Sequence, residues 1–324
     1  MTAHRYGIRN RKYVLRILYC VLLASFFFLT SCLPATRPIL KIGLVAPFEG
    51  RYRDVGYEIN YAVRLAIREA NQVGGVAGYA IELLAFDDSG DPEMAIAQAR
   101  KVTTDPQVIA VLGHWLDSTT LAAAPIYDAS SIPFIATTAS PDLAASAFRL
   151  WLTEAAYDDA LPAAIHCPLP CDSLENLEWL LTGPRPQTRN ALVAGPPLWQ
   201  QSQFASLAGG YAEGVYVIAP APLPVDATGA NVEPNFAERY HWISNGVEPR
   251  SLAVLAYDAI QIIFNAITRD VQANGTPTRT GVAAALAQSN YSGLSGNISF
   301  DSNHNWIEAI GWVYEWQEGN IIKP

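Results

Sequence analysis

The sequence is short of positive charge, of cysteine and of recognisable catalytic motifs, and each shortage removes a class of function. Lys and Arg number 21 against 30 Asp and Glu. Five of the basic residues (Arg5, Arg9, Arg11, Lys12 and Arg16) lie in the first 31 positions, which hold no acid; taking these five from 21 leaves 16 basic against 30 acidic residues, a formal charge of −14. A surface that acidic excludes nucleic acid as a partner, because such binding depends on neutralising phosphates with Lys and Arg. There is no G-x-S-x-G, no H-E-x-x-H and no P-loop. Beyond the N-terminus the histidines (His114, His166, His241, His304) are scattered. The chain is therefore read as a non-enzyme without a cofactor. DSNHN (301–305) has part of a calcium-loop pattern, but Trp306 stands where that loop needs glycine and Trp312 where it needs glutamate. It reads as a hairpin turn, and no metal site is expected. Internal repeats and long charge runs are also absent.

The four cysteines divide by position. RNRKYVLR is basic, ILYCVLLASFFFLT is apolar for 14 residues, and LTSC ends at Cys32. Basic, then apolar, then small is the secretory signal pattern, and the apolar run is short for a spanning helix. LTSC resembles a bacterial lipobox, which implies cleavage before Cys32, lipidation of that residue and an extracytoplasmic, membrane-anchored protein; a plain signal anchor is the alternative. Residues 1–31 are read as the signal peptide and 32–40, with two prolines in LPATRP, as a tether. Cys20 falls inside the signal. Cys167 and Cys171, in HCPLPC, remain: as a local disulfide outside the cytoplasm, as free thiols, or with His166 as metal ligands lacking an evident fourth. No later stretch is read as a membrane span.

Half of the residues are apolar, enough for a sizeable core. KIGLVA (41–46), AIELLAF (80–86), VIAVLG (108–113) and IPFIA (132–136) read as buried strands. Between them lie helical patterns over Tyr57–Asn71, from Pro92 through Val102, and over Ser118–Ala129. Strand and helix alternating at this spacing mean a parallel sheet with right-handed crossovers. The stretch from 161 to 200 is proline-rich and irregular. Beyond it, VYVIA reads as a strand, Phe236–Ser244 as a helix, SLAVLAYDAIQIIFNAIT (251–268) as a long helix buried on most sides, Gly281–Ser289 as a helix, and NISF and AIGWVYEW as closing strands. VIAVLG and IPFIA both run into small and hydroxyl residues, and loops after parallel strands are where open α/β folds bind ligands.

KIGLVAPFEG, EANQVGG, AIELLAFDDSGDPEMAIAQARKV and GHWLDSTTLAAAPIY occur in the order and spacing seen in type I periplasmic binding proteins. The chain most resembles the branched-chain (leucine/isoleucine/valine) amino-acid receptors of ABC importers; AEGVYV and LAYDAI fit as well. The resemblance implies an α/β protein of two lobes, parallel sheets flanked by helices, with the ligand between them and closure by hinge motion. Lobe 1 would comprise 41–149 and 249–297, and lobe 2 would comprise 150–248 and 298–324. The second lobe reads as shortened, because the chain passes almost directly from FRLWLTEAAYDDALPAA to HCPLPC.

The resemblance places Asp117, Ser118, Thr138, Ala139 and Ser140 where a ligand carboxylate meets N–H groups and hydroxyls. Helix N-termini suit that task, although Ser118, Thr119 and Ser140 are equally read as helix N-caps. Asp117 stands where serine is common and would repel a carboxylate unless it turns away, caps the helix, or meets an ammonium or hydroxyl. Glu213 matches the acid that pairs with a ligand ammonium, or is a solvated turn residue. Trp115 and Leu116 would face the ligand's side chain, or sit in the core. Tyr257 reads as packing, and Asp87, Asp88 and Asp91 as a capping turn. The implied function is a solute-binding lipoprotein serving ABC permease subunits; the alternative is a sensor or protein-binding scaffold of the same fold.

Overall fold

β1 (Ile39–Ala46) is buried at every position from Ile42 onward, which requires cover on both faces of the sheet it joins. The computed structural model describes residues 14, 16–19, 37–137, 143, 147–160, 194–224 and 235–324. The chain divides into Met1–Pro38 and Ile39–Pro324. In the first unit, residues 16–19 are helical and exposed; the fold described below belongs to the second.

β1 pairs in parallel with β2 (Ala80–Asp87) on one side and β3 (Val108–Gly113) on the other, and β4 (Phe134–Ala136) and β5 (Ala147–Arg149) extend the sheet in the order β2-β1-β3-β4-β5. The helices between these strands are α1 (Arg53–Gln72), α2 (Pro92–Thr104) and α3 (Asp117–Ala129). Side chains alternate across the sheet. Leu40, Ile42, Leu44 and Ala46 join α1 in the larger core, whereas Val45, Val108, Val111 and Phe134 join Ala95, Ala99 and Ala123 of α2 and α3 in the smaller one. The start of α2 follows the sequence closely: Asp91 accepts the Met94 N–H at 2.8 Å, and Pro92 occupies the first turn.

β5 has only three residues, too few for a periodic signal. It is held in place by the 301–306 turn: Arg149 donates its N–H to His304 O at 2.8 Å, and Trp306 donates to Arg149 O at 3.1 Å. Asp301 organises that turn by accepting the N–H groups of Asn303 and Asn305, both at 2.8 Å, so DSNHN buttresses the sheet edge.

A second sheet has the order β11-β10-β7-β6. β6 (Ala194–Gly195) and β7 (Tyr216–Ala219) are parallel, while β10 (Trp312–Gln317) pairs antiparallel with β7 and with β11 (Asn320–Ile322). Short helices α4 (Glu154–Ala160) and α5 (Ser202–Ala208) and the single-turn helix Pro197–Gln200 accompany it. α6 (Phe236–Ser244) lies along α1. α7 (Ser251–Asn274) packs on α1 and on α8 (Arg279–Leu286), and the ribbon β8 (Asn290–Gly293) with β9 (Gly296–Ser299) follows. By length and composition α7 could cross a membrane, against the expectation that no stretch past the N-terminus would; 78% of its most apolar window is nevertheless buried in the protein, which makes it a core helix. The larger core is continuous from the first sheet through α7 to Trp199, Val217, Tyr314 and Trp316 of the second.

Gly113 ends β3 at φ +135°, and a Cβ there would lie 2.1 Å from Val45 O. Glycine is thus required where β3 enters the loop toward α3. Gly113→Ala is expected to cost about 3 kcal/mol or more in urea unfolding. Gly214→Ala, at φ +77° in open space, should cost only about 1–2 kcal/mol for its left-handed backbone.

Candidate functional site

The loops at the carboxyl ends of β1, β2, β3 and β4 converge because the strands are parallel. Asp87 stitches the first two together. Its carboxylate accepts N–H groups from Phe48 at 2.7 Å and Ser89 at 2.8 Å, and the Ser89 hydroxyl at 2.7 Å. Burial raises its pKa, but these hydrogen bonds outweigh burial and hold the carboxyl below the ordinary range. Asp88 reaches into the core, where its Oδ2 meets His114 Nδ1 at 2.7 Å; His114 Nε2 meets the Tyr127 hydroxyl at 3.0 Å, and all three side chains are buried. Both ring nitrogens of His114 thus have a hydrogen-bond partner. Burial and then the Asp88 charge push the Tyr127 hydroxyl pKa up, which keeps that hydroxyl a donor. The Thr120 hydroxyl donates to His114 O at 2.8 Å and the Thr119 hydroxyl to Leu116 O at 3.1 Å. The β3–α3 loop is thereby tied to the β2–α2 loop and to α3.

Asp117 and Ser118 are the first two residues of α3, half-buried at its N-terminus. Leu116 is the N-cap and supplies no side-chain cap. The N-cap reading is therefore corrected for Ser118 and Thr119, which lie inside the helix because the backbone turns helical at Asp117. Trp115 and Leu116 are each 1% exposed, so both belong to the core beneath the loop, and Trp115 Nε1 has no hydrogen-bond partner among the described residues. Leu116 and Tyr52 both lie against Gly90. Thr138, Ala139 and Ser140 fall outside the described residues, as do Cys32, Cys167 and Cys171. Among the described residues no cluster suited to a metal ion is present.

Glu213 is not brought to this loop. It is exposed, just before β7, and its carboxylate accepts the Glu318 N–H at 2.9 Å in the β10–β11 hairpin turn. Its role is to fasten that turn. Tyr257 does pack in α7, and its hydroxyl also donates to Glu69 Oε2 at 2.7 Å beside the Arg239–Glu69 ion pair at 2.6 Å.

Sequence reasoning missed the buried junction around Glu58. This carboxylate is 4% exposed. Its Oε1 accepts the N–H groups of Ala253 at 2.8 Å and Arg250 at 3.1 Å, its Oε2 accepts the Gln201 amide, and Gln200 Oε1 accepts the Ser251 N–H at 3.2 Å. The N-terminus of α7 is thus capped from two distant segments. Burial pushes the Glu58 pKa up to about 7, against the lowering effect of the Ala253, Gln201 and Arg250 contacts. One signal was available: Glu58 sits among Val55, Ile59 and Ala62 on the apolar face of α1, where a lone charge is out of place.

The chain is similar to periplasmic binding proteins over part of its length. A family model described as periplasmic binding protein matches residues 39–165. The Leu/Ile/Val-binding protein of Escherichia coli (strain K12) is 30% identical over 120 residues, 37% of this chain and 32% of that protein. A leucine-, isoleucine-, valine-, threonine- and alanine-binding protein of Pseudomonas aeruginosa is 33% identical over 112 residues, 34% of this chain and 30% of that protein. The matched stretch thus spans about a third of these curated relatives. Among solved structures, the branched-chain amino acid transporter substrate binding protein LivJ of Streptococcus pneumoniae, in complex with isoleucine, superposes with a TM-score of 0.68 at 19% identity, over 88% of this chain and 100% of that one. A solute binding protein of Rhodopseudomonas palustris in complex with benzoate does so with a TM-score of 0.63 at 16% identity, over 88% of this chain and 95% of that one. At these identities the structures share the fold.

The raised pKa of Glu58 has a stability consequence. Its contribution is fully present below the ordinary 4.5 and is lost as pH rises through about 7. Urea unfolding should therefore show stability falling by about 3 kcal/mol across that window from this group alone. In Glu58→Gln that part of the slope should vanish, with the gain over the parent larger at pH 8 than at pH 5.

Proposed function

We propose that this chain, which has the type I periplasmic binding protein fold and resembles the branched-chain amino-acid substrate-binding proteins, is an extracytoplasmic solute-binding lipoprotein of an ABC importer. It binds an amino acid or similarly small polar ligand between its lobes and closes over it by hinge motion. The observation that carries this reading is the N-terminus of α3, whose N-cap Leu116 has no polar side chain and which is fixed by the buried Asp88–His114–Tyr127 set. Its N–H groups and the Ser118 hydroxyl offer donors to a carboxylate, with Thr138, Ala139 and Ser140 completing the site from the β4 loop. Asp117 takes the ligand's ammonium or hydroxyl. Lipidation at Cys32 holds the protein at the membrane beside its permease.

A second reading, a sensor or protein-binding scaffold of the same fold, is favoured by the burial of Trp115 and Leu116, residues expected to face a ligand side chain.

Thermal unfolding against amino acids, aromatic carboxylates, polyols and sugars separates the two. A native-state ligand raises the midpoint. One compound class is expected to do so, with Asp117→Ala and Ser118→Ala each weakening affinity about 10-fold or more, as loss of a charge-assisted hydrogen bond implies. A folded protein stabilised by no compound would support the sensor or scaffold instead. For the anchor, intact mass of the membrane-extracted protein should show acyl groups on a chain beginning at Cys32. In Cys32→Ser that mass and the membrane association should both disappear, and retention of either would overturn the lipoprotein assignment.

A further inference from the structure

We propose that the outward face of α1, with the flank of α6 beside it, docks on an anionic lipid surface and sets how the protein lies against the membrane. The inference rests on the membrane attachment proposed above, but not on the identity of the solute.

Arg53, Tyr57, Tyr61, Arg64 and Arg68 recur at helical spacing and form one stripe along α1, opposite Val55, Ile59, Ala62 and Ala66, which enter the core. Tyr57 is 42% exposed, Tyr61 is half-buried, and the three arginines are exposed. Arg53 meets Asp54 at 3.6 Å. Arg64 and Arg68 have no hydrogen bond or ion pair among the described residues.

α6 widens the stripe. Arg239 pairs with Glu69 at 2.6 Å, Tyr240 packs edge-on against Tyr61 at 6.0 Å, and Arg250, beyond the helix, donates its N–H to Glu58. α6 therefore runs against the direction of α1. Trp242 stands one turn after Arg239, on the same flank, and is 77% exposed. So large an exposed ring in water calls for a partner surface.

The charge of this face names that partner. Among the acids of the two helices, Asp54 meets Arg53, Glu69 meets Arg239, Glu58 is buried, and Glu238 is the one left exposed without an ion pair. Beyond the N-terminus the chain as a whole has 16 basic against 30 acidic residues, so a face with two unpaired arginines runs against its general charge. The stripe contains no Leu, Ile or Met, whereas the centre of a protein–protein interface is apolar. Tyr and Trp, with an apolar ring and a polar tip, suit the headgroup level of a bilayer, and arginine binds lipid phosphates while its stem lies along apolar surface.

Such a patch orients a protein that is already attached. Each arginine close to an anionic leaflet shifts occupancy by about fivefold, too little to recruit the protein from solution but enough to hold one face down once an anchor raises its local concentration. With α1 laid on the surface, the loops that follow β1 to β4 open along the leaflet.

The test uses membrane-extracted full chain reconstituted into vesicles of phosphatidylcholine, alone or mixed with phosphatidylglycerol, each containing lipid brominated near the headgroups. Tryptophan fluorescence should be quenched more in the anionic vesicles, and Trp242→Phe should remove that difference. Arg64→Gln and Arg68→Gln should each lower the ratio of quenched to unquenched protein by about fivefold, with unchanged melting midpoints because both side chains are exposed. Equal quenching in the two lipids, or arginine variants that behave as the parent, overturns the proposal. So does Trp242 that no lipid quenches and that only added permease subunits shield from acrylamide, which assigns the face to a protein. Flotation reads the anchor separately. A chain that floats with phosphatidylcholine but is not quenched keeps the anchor and loses the patch; one that floats only with phosphatidylglycerol, and is quenched there, keeps the patch and loses the anchor.

Discussion

Two-sided burial of the first parallel sheet is the constraint on which the rest of the protein depends. β1 lies between β2 and β3, and its side chains feed two different cores. Such a strand exists only if helices cover both faces. That requirement forces a crossover after each strand and carries all the strand-to-helix loops to one end of the sheet. The candidate site is the product of this topology. Asp87, Asp88, His114 and the start of α3 come from two separate connections, and they meet because the strands run in one direction.

What keeps the loops in register is polar and buried. The Asp88–His114–Tyr127 set and the threonine hydroxyls on backbone carbonyls give the β3–α3 loop fixed partners in a region where an unpaired group is costly. This order contrasts with Trp115 Nε1, Gln200 Nε2 and Ser251 Oγ, buried and unpaired. The fully paired groups lie in the loops at the end of the first sheet, and Gln200 Nε2 and Ser251 Oγ lie at the N-terminus of α7.

The apolar helix α7 links the parts. Its length and composition would suit a membrane, but its sides are occupied by α1, α8 and the sheets. Its N-terminal N–H groups then need partners deep inside the protein, and Glu58 and Gln200 provide them. A hydrophobic demand and a hydrogen-bonding demand are met by the same arrangement, which also explains why a carboxylate stands on the apolar face of α1.

Local features of the chain were legible from sequence alone. Alternation and apolar runs marked β1 to β4, the D-P pair marked the start of α2, and Phe236–Ser244 was marked as a helix over the range it occupies. Those signals depend on neighbours within a few residues, where backbone geometry and side-chain periodicity act directly. β5 was missed because three residues carry no period, and the hydrogen bond that ties Glu213 to the β10–β11 turn was not legible because it joins residues 105 apart. The junction of Glu58 with Gln201 and Ala253 joins positions up to 195 residues apart. Only the tertiary structure decides such contacts, because burial and the partner that makes burial tolerable are properties of the packed chain. The sequence by itself determined which segments would be strands and helices and which faces would be apolar; packing decided which polar groups would be buried together.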